Sequence, residues 1–184
     1  MIQIPALTVA LRTLLTVVVT LVAAGCASHI NAPEEITAMA RTSYETRQNI
    51  RFSPDDWPQA LKADLYLPQT DEPAPAVLVI HGGGWERRSR DDMTRLSRTL
   101  ASRGFMVMNI DYRFAPEHRF PAQLQDAQLA MRWLHSHADD LGIDARYISA
   151  FGFSSGAHLV TMLAAASDPD HPHSEPLGGP VTAP

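Results

Sequence analysis

Apolar positions recur along this chain with two distinct periods, and the switches between them mark out its elements. Tyr44 to Phe52 and Lys62 to Leu67 read as strands, the second setting Ala63, Leu65 and Leu67 against Asp64 and Tyr66 before Pro68 stops it. After the proline-rich loop Gln69 to Pro75, the run Ala76 to Ile80 is apolar throughout. That pattern belongs to a strand buried on both faces of a helix-covered sheet. Asp91 to Arg103 changes to helical spacing, with Met93, Leu96, Leu100 and Ala101 apolar and Gly104 at its end. Phe105 to Ile110 returns to the buried-strand pattern. Pro121 opens a helix that runs to His137 with Leu124, Ala127, Leu129, Met131 and Leu134 apolar. Arg146 to Phe151 reads as the next strand and Ser155 to Ala166 as the next helix, while Ser167 to Pro184 has no regular period. Strands alternating with helices, three of the strands mainly apolar, predict an α/β fold around a largely parallel sheet.

The first 25 residues stand apart from this pattern. Ala6 to Gly25 is almost wholly apolar, broken by Arg12 and free of acidic residues. Its clean core, Leu14 to Ala24, is short for a membrane span and ends in small residues, as a secretory leader does. Cys26, the only cysteine, follows Ala23-Ala24-Gly25, and the arrangement resembles a bacterial lipoprotein signal, which implies export and lipidation of Cys26. The alternatives are a plain secretory leader or an uncleaved anchor that leaves Cys26 a thiol. The expected organisation is a leader over 1–25, a tether over 26–41 and a folded domain over 42–184, in a protein that is periplasmic or held at the membrane by its lipid.

Composition narrows the rest. A chain of 184 residues that is 45% hydrophobic suffices for one domain with a core. A net charge of −5 with no long basic run gives no footprint for nucleic acid, so small molecules or proteins are the expected partners.

Two short motifs carry candidate chemistry. Gly152-Phe153-Ser154-Ser155-Gly156 places a serine between glycines where a strand gives way to a helix, a turn that needs small flanking residues. His81-Gly82-Gly83-Gly84-Trp85 follows the strand Ala76 to Ile80, and glycines there let backbone N–H groups approach a ligand oxygen. Either motif alone is a common turn. Together, in this order and each after a strand, they are far more specific.

With both motifs present, the stretch from about Lys62 to Ala165 resembles the α/β-hydrolase superfamily, in its HGGG-type esterase and lipase group of hormone-sensitive-lipase-like and feruloyl-esterase-like domains. Asp64-Leu65-Tyr66-Leu67-Pro68, Asp111-Tyr112-Arg113, Ala115-Pro116-Glu117-His118, Phe120-Pro121-Ala122 and Gly142-Ile143-Asp144 extend the match. The resemblance implies a serine hydrolase of small-molecule carboxylic esters that works through an acyl-enzyme on Ser154, with Gly83, Gly84 and Ser155 supplying the oxyanion hole and no cofactor or metal. Amidase, formamidase or peptidase chemistry on the same scaffold is the alternative. Asp111, Arg113 and Glu117 are expected to brace loops, His81 to do the same, and Trp85 to pack or to wall an acyl pocket. His158, one helical turn past Ser154, is expected to point away from the serine.

In such a fold the acid and the histidine follow the serine in the chain. Asp168, Asp170, His171, His173 and Glu175 come too early for those roles and read as solvated tail residues rather than a metal site. The sequence therefore presents about the first five strands of the fold, an incomplete hydrolase domain with the last strand's edge exposed and available for self-association. A catalytically inactive, truncated lipoprotein is the reading from another functional class.

Overall fold

The structure is a computed structural model that describes residues 41–168, 170 and 172–174. The expected leader, Cys26, and the tether apart from Arg41 lie outside the described residues, as do His171 and Glu175.

Among the described residues five strands form one mixed sheet in the order β1-β2-β4-β3-β5. They are β1 (Tyr44–Arg51), β2 (Lys62–Pro68), β3 (Ala74–Ile80), β4 (Met106–Ile110) and β5 (Ile143–Gly152). The first two hydrogen-bonded pairs, β1 with β2 and β2 with β4, are antiparallel; β4 with β3 and β3 with β5 are parallel. A 3₁₀ turn (Arg90–Met93) leads into α1 (Thr94–Ala101), and α2 (Ala122–Ser136) and α3 (Ser155–Ala165) follow.

The two-residue period of the central strands sorts their side chains to opposite faces. Val77, Val79 and Val107 pack with Tyr66 and Ala101 under α1, while Ala76, Leu78, Ile80, Met106, Met108 and Ile110 pack with Leu124, Leu129, Leu159 and Leu163 of α2 and α3. Both faces are therefore covered, which is why β3 and β4 tolerate apolar residues at every position but one. The exception is Asn109, whose amide donates to the Arg90 carbonyl at 2.7 Å.

β2 departs from the expected one-sided strand. Asp64 and Tyr66 are as buried as Ala63 and Leu65. Asp64 is accommodated because its carboxylate forms an ion pair with Arg90, Nε lying 3.1 Å away, and accepts the Asn49 N–H at 2.9 Å. The single helix expected over Asp91 to Arg103 is a 3₁₀ turn followed by a shorter α1. Ser89 caps the turn, its side chain accepting from the Asp91 N–H at 3.2 Å, and Gly104 ends the segment at φ 88°.

The chain runs from β3 through α1 to β4 on one side and then through α2 back across β3 to β5 on the other. The C-terminal ends of β3 and β5 thus lie where the connections diverge, the place at which an open α/β sheet leaves a crevice. Among the described residues β1 and β5 are the two edge strands, and Tyr147 and Phe151 of β5 are exposed.

Candidate active site

Both motifs lie in that crevice. Phe153 N–H donates to the Ile80 carbonyl at 3.2 Å, which joins the end of β3 to the turn after β5. α3 then crosses the end of β3 so closely that a Cβ on Gly156 would overlap the carbonyls of Ile80 and His81, and one on Gly152 would overlap the Gly156 backbone. The glycines at both ends of the pentapeptide are thus dictated by backbone contact.

Ser154 sits between them at φ 53° and ψ −120°, a conformation that costs a non-glycine residue about 1–3 kcal/mol. It is exposed at the head of α3, and its hydroxyl has no hydrogen-bond partner among the described residues. The positive end of α3 faces the same space.

Opposite lies the 81–85 loop. Gly83 adopts φ 123°, and a Cβ there would overlap the Arg87 carbonyl. The N–H groups of Gly83 and Ser155 have no acceptor among the described residues. The Gly84 N–H is engaged: it donates to Ser155 Oγ at 3.0 Å. Ser154, Gly82, Gly83, Gly84 and the side chains of Phe151 and Phe153 border an open cavity of about 560 Å³. Beside it Trp85, Ala115, Phe120, Gln123, His158 and Leu159 enclose an apolar pocket of about 250 Å³.

His81 is fully buried. Its Nδ1–H donates to the Gly82 carbonyl at 2.6 Å, its ring stacks on Tyr112 at 4.5 Å between centroids, and Nε2 has no hydrogen-bond partner among the described residues. Burial pushes its pKa below the ordinary value of 6.5, so the ring is held neutral as a brace of the loop. His158 stands edge-on to Trp85 at 5.4 Å and makes no bond to the Ser154 hydroxyl. Trp85, at φ 64°, accepts from the Ala115 N–H through its carbonyl at 2.9 Å and walls the apolar pocket.

The expected braces divide. Asp111 accepts from the Arg90 N–H at 2.9 Å and pairs with the Arg90 guanidinium. Arg113 forms a buried ion pair with Asp126 at 2.8 Å and also donates to the Ala122 carbonyl at 3.1 Å. Glu117 braces nothing: it is exposed and makes no hydrogen bond or ion pair among the described residues, because its segment of the loop turns that side chain to solvent. Asp126, which the helical pattern did not single out, is the centre of the buttress. It also accepts from Trp57 Nε1 at 2.9 Å and from the Arg113 N–H at 2.8 Å. An ionisable residue among the apolar positions of a helix was the available signal.

Downstream, Asp168 and Asp170 are exposed, and His173 lies against Phe120 at 5.1 Å between centroids while its carbonyl accepts from Gln128. No histidine or carboxylate hydrogen-bonds to Ser154 among the described residues.

Comparison with known proteins agrees with this geometry. Residues 63–175 match the BD-FAE family. Esterase LipC of Mycobacterium tuberculosis is 32% identical over 149 residues, which are 79% of this chain and 36% of LipC. Ethyl acetate hydrolase of Pseudomonas putida is 43% identical over 108 residues, 56% of this chain and 34% of that enzyme. Among solved structures, an esterase of Pyrobaculum calidifontis superposes with a TM-score of 0.62 at 34% identity, covering 70% of this chain and 42% of its own. A bacterial heroin esterase does so with 0.59 at 29%, covering 78% and 45%. The chain spans about a third of the length of the curated relatives it matches. A strained serine over the crevice, a glycine loop facing it and a match across more than half of the sequence lead to one assignment: the chain belongs to the BD-FAE family, in the esterase and lipase group of the α/β-hydrolases.

Proposed function

We propose that this chain carries the nucleophile and oxyanion site of a carboxylic-ester hydrolase. The observation that carries the reading is Ser154, held at φ 53° at the head of α3 with a hydroxyl that has no partner among the described residues, while the Gly83 and Ser155 amides beside it lack acceptors there. Strain of this kind persists only where the surrounding structure enforces it.

In the proposed reaction Ser154 Oγ attacks the ester carbonyl carbon and gives up its proton to a base. The carbonyl π pair moves onto oxygen, which is stabilised by the Gly83 and Ser155 N–H groups and the α3 terminus. Collapse expels the alcohol, which takes a proton, and water then releases the acid from Ser154 by the same route. One well-placed oxyanion donor is worth about 3 kcal/mol in such a transition state. The base and its acid are assigned to residues outside those described, since none of the described histidines or carboxylates hydrogen-bonds to Ser154. Esters rather than amides are favoured by the relatives, whose names include carboxylesterase, arylesterase and ethyl acetate hydrolase.

The test is labelling of the folded 184-residue chain with a fluorophosphonate, together with turnover of a short aryl ester. Both signals should be present and both lost in Ser154→Ala. A folded sample that gives neither would establish the catalytically inactive reading instead. We also propose export with a lipid on Cys26: fatty-acid analogue incorporation in a bacterial host should disappear in Cys26→Ala, and incorporation that survives the substitution overturns this.

A further inference from the structure

The hydroxyl of Ser155 has no part in the reaction proposed above, which uses only its backbone N–H, yet it is among the best-placed polar groups in the site. Ser155 is 5% exposed, and its Oγ accepts the Gly84 N–H at 3.0 Å across 71 positions of sequence. The phenol of Tyr112 donates to the His81 carbonyl at 3.2 Å, and its oxygen is the acceptor toward which the Ser155 hydroxyl can donate. Each proton then has one destination. Gly84 N–H goes to Ser155 Oγ, Ser155 Oγ–H goes to the Tyr112 oxygen, and Tyr112 O–H goes to the His81 carbonyl. This chain of bonds links both ends of the 81–84 loop to the first residue of α3 and to the segment after β4.

We propose that the Ser155 side chain is a positioning residue of the oxyanion site. Its hydroxyl ties down the Gly84 N–H, so the Gly83 N–H is held facing the N–H of Ser155 itself and the hole has two donors rather than three. Gly84 is thereby moved from the oxyanion donors expected of it to the loop's anchor. The consequence for catalysis rests on Ser154 being the nucleophile; the anchoring does not.

The experiment uses the full chain labelled with [¹⁵N]glycine, in which only 10 glycines contribute signals. Gly84 should exchange its amide proton about tenfold more slowly than Gly83. Ser155→Ala should abolish that difference and Ser155→Thr, which keeps the hydroxyl, should restore it. On addition of a fluorophosphonate, the Gly83 amide signal should move on adduct formation and that of Gly84 should not, whereas in Ser155→Ala both should move. The alanine variant should also label about tenfold more slowly at saturating reagent with the half-saturating concentration unchanged, since small misplacements of a donor act on the chemical step. Equal exchange at Gly83 and Gly84 in the unsubstituted chain, or a Gly84 amide indifferent to Ser155→Ala, overturns the proposal. If no labelling occurs at all, the hydrolase reading fails while the exchange result still decides the role of the Ser155 hydroxyl.

Discussion

Two polar clusters border the C-terminal ends of the strands, and they differ in how completely their bonds are made. In the first, Asp126 receives Trp57, the Arg113 guanidinium and the Arg113 N–H, and none of these side chains leaves a buried polar atom unpaired. In the second, Ser154 is strained, and among the described residues its hydroxyl lacks a partner and two backbone N–H groups beside it lack acceptors. Saturated bonding and relaxed geometry mark a group kept for stability. Unmade bonds held in place by a rigid frame mark a group kept for what arrives later.

The strongest way to test that contrast is to remove the central group from each cluster. Ser154→Ala should lose all fluorophosphonate labelling and leave the free energy of urea unfolding within about 0.5 kcal/mol of its starting value, as for a surface change away from structural features. Asp126→Ala should do the reverse. It leaves the Arg113 guanidinium buried without its partner and the Trp57 N–H unbonded, at a cost of about 3–5 kcal/mol by urea or thermal unfolding. If the aspartate change were nearly neutral and the serine change unfolded the chain, the division between the two clusters would be wrong.

A smaller effect sharpens the same point. Glycine adopts φ 53° without the steric cost that serine bears, and its extra flexibility in the unfolded chain offsets part of the gain. Ser154→Gly should therefore raise stability by about 1 kcal/mol while removing the proposed nucleophile. A loss of stability would mean that the serine side chain is held by favourable contacts and stores no strain.

These two clusters were unequally legible in the sequence. The elbow was readable because part of its constraint is local: the contact that requires Gly152 is with the Gly156 backbone one turn away, and Gly156, although it is forced by the carbonyls of Ile80 and His81, falls at a fixed spacing from Ser154. The strands β3 and β4 were readable for a similar reason, since cover on both faces removes polar residues from a short run. Trp57 and Asp126, by contrast, meet across 69 positions and Gly84 meets Ser155 across 71. Contacts of that range depend on how the strands are ordered in the sheet, which no local pattern encodes. Asp64 shows the same limit. Its alternation with Ala63 and Leu65 suggested solvent, but the arrival of Arg90 from beyond the next strand lets the carboxylate be buried. Glu117 erred in the other direction, being assigned as a brace on family likeness where the loop leaves it in water.

His81 offers the finest distinction between bracing and chemistry, because it stands at the head of the glycine loop yet is neutral and buried. Its pKa lies below 6.5 in the folded chain because burial disfavours the imidazolium; Asp111, with Oδ1 3.9 Å from Nε2, and Asp92 pull the other way, and Arg88 adds slightly to the fall. Between the folded value and about 6.5, the unfolded chain binds a proton that the folded chain refuses, so stability is full above that window and declines as pH falls through it. His135, also depressed by burial, adds to the slope in the same direction. His81→Phe keeps a ring against Tyr112 and loses the bond to the Gly82 carbonyl, so at pH 8 it should cost about 1 kcal/mol. As the solution is acidified below about 6.5 that cost should shrink, because the variant no longer has this proton to refuse. Urea unfolding of both proteins at pH 8 and pH 5 measures the difference. An equal cost at the two values would mean that His81 takes up its proton as readily folded as unfolded, and that the loop can accept a charge beside Ser154.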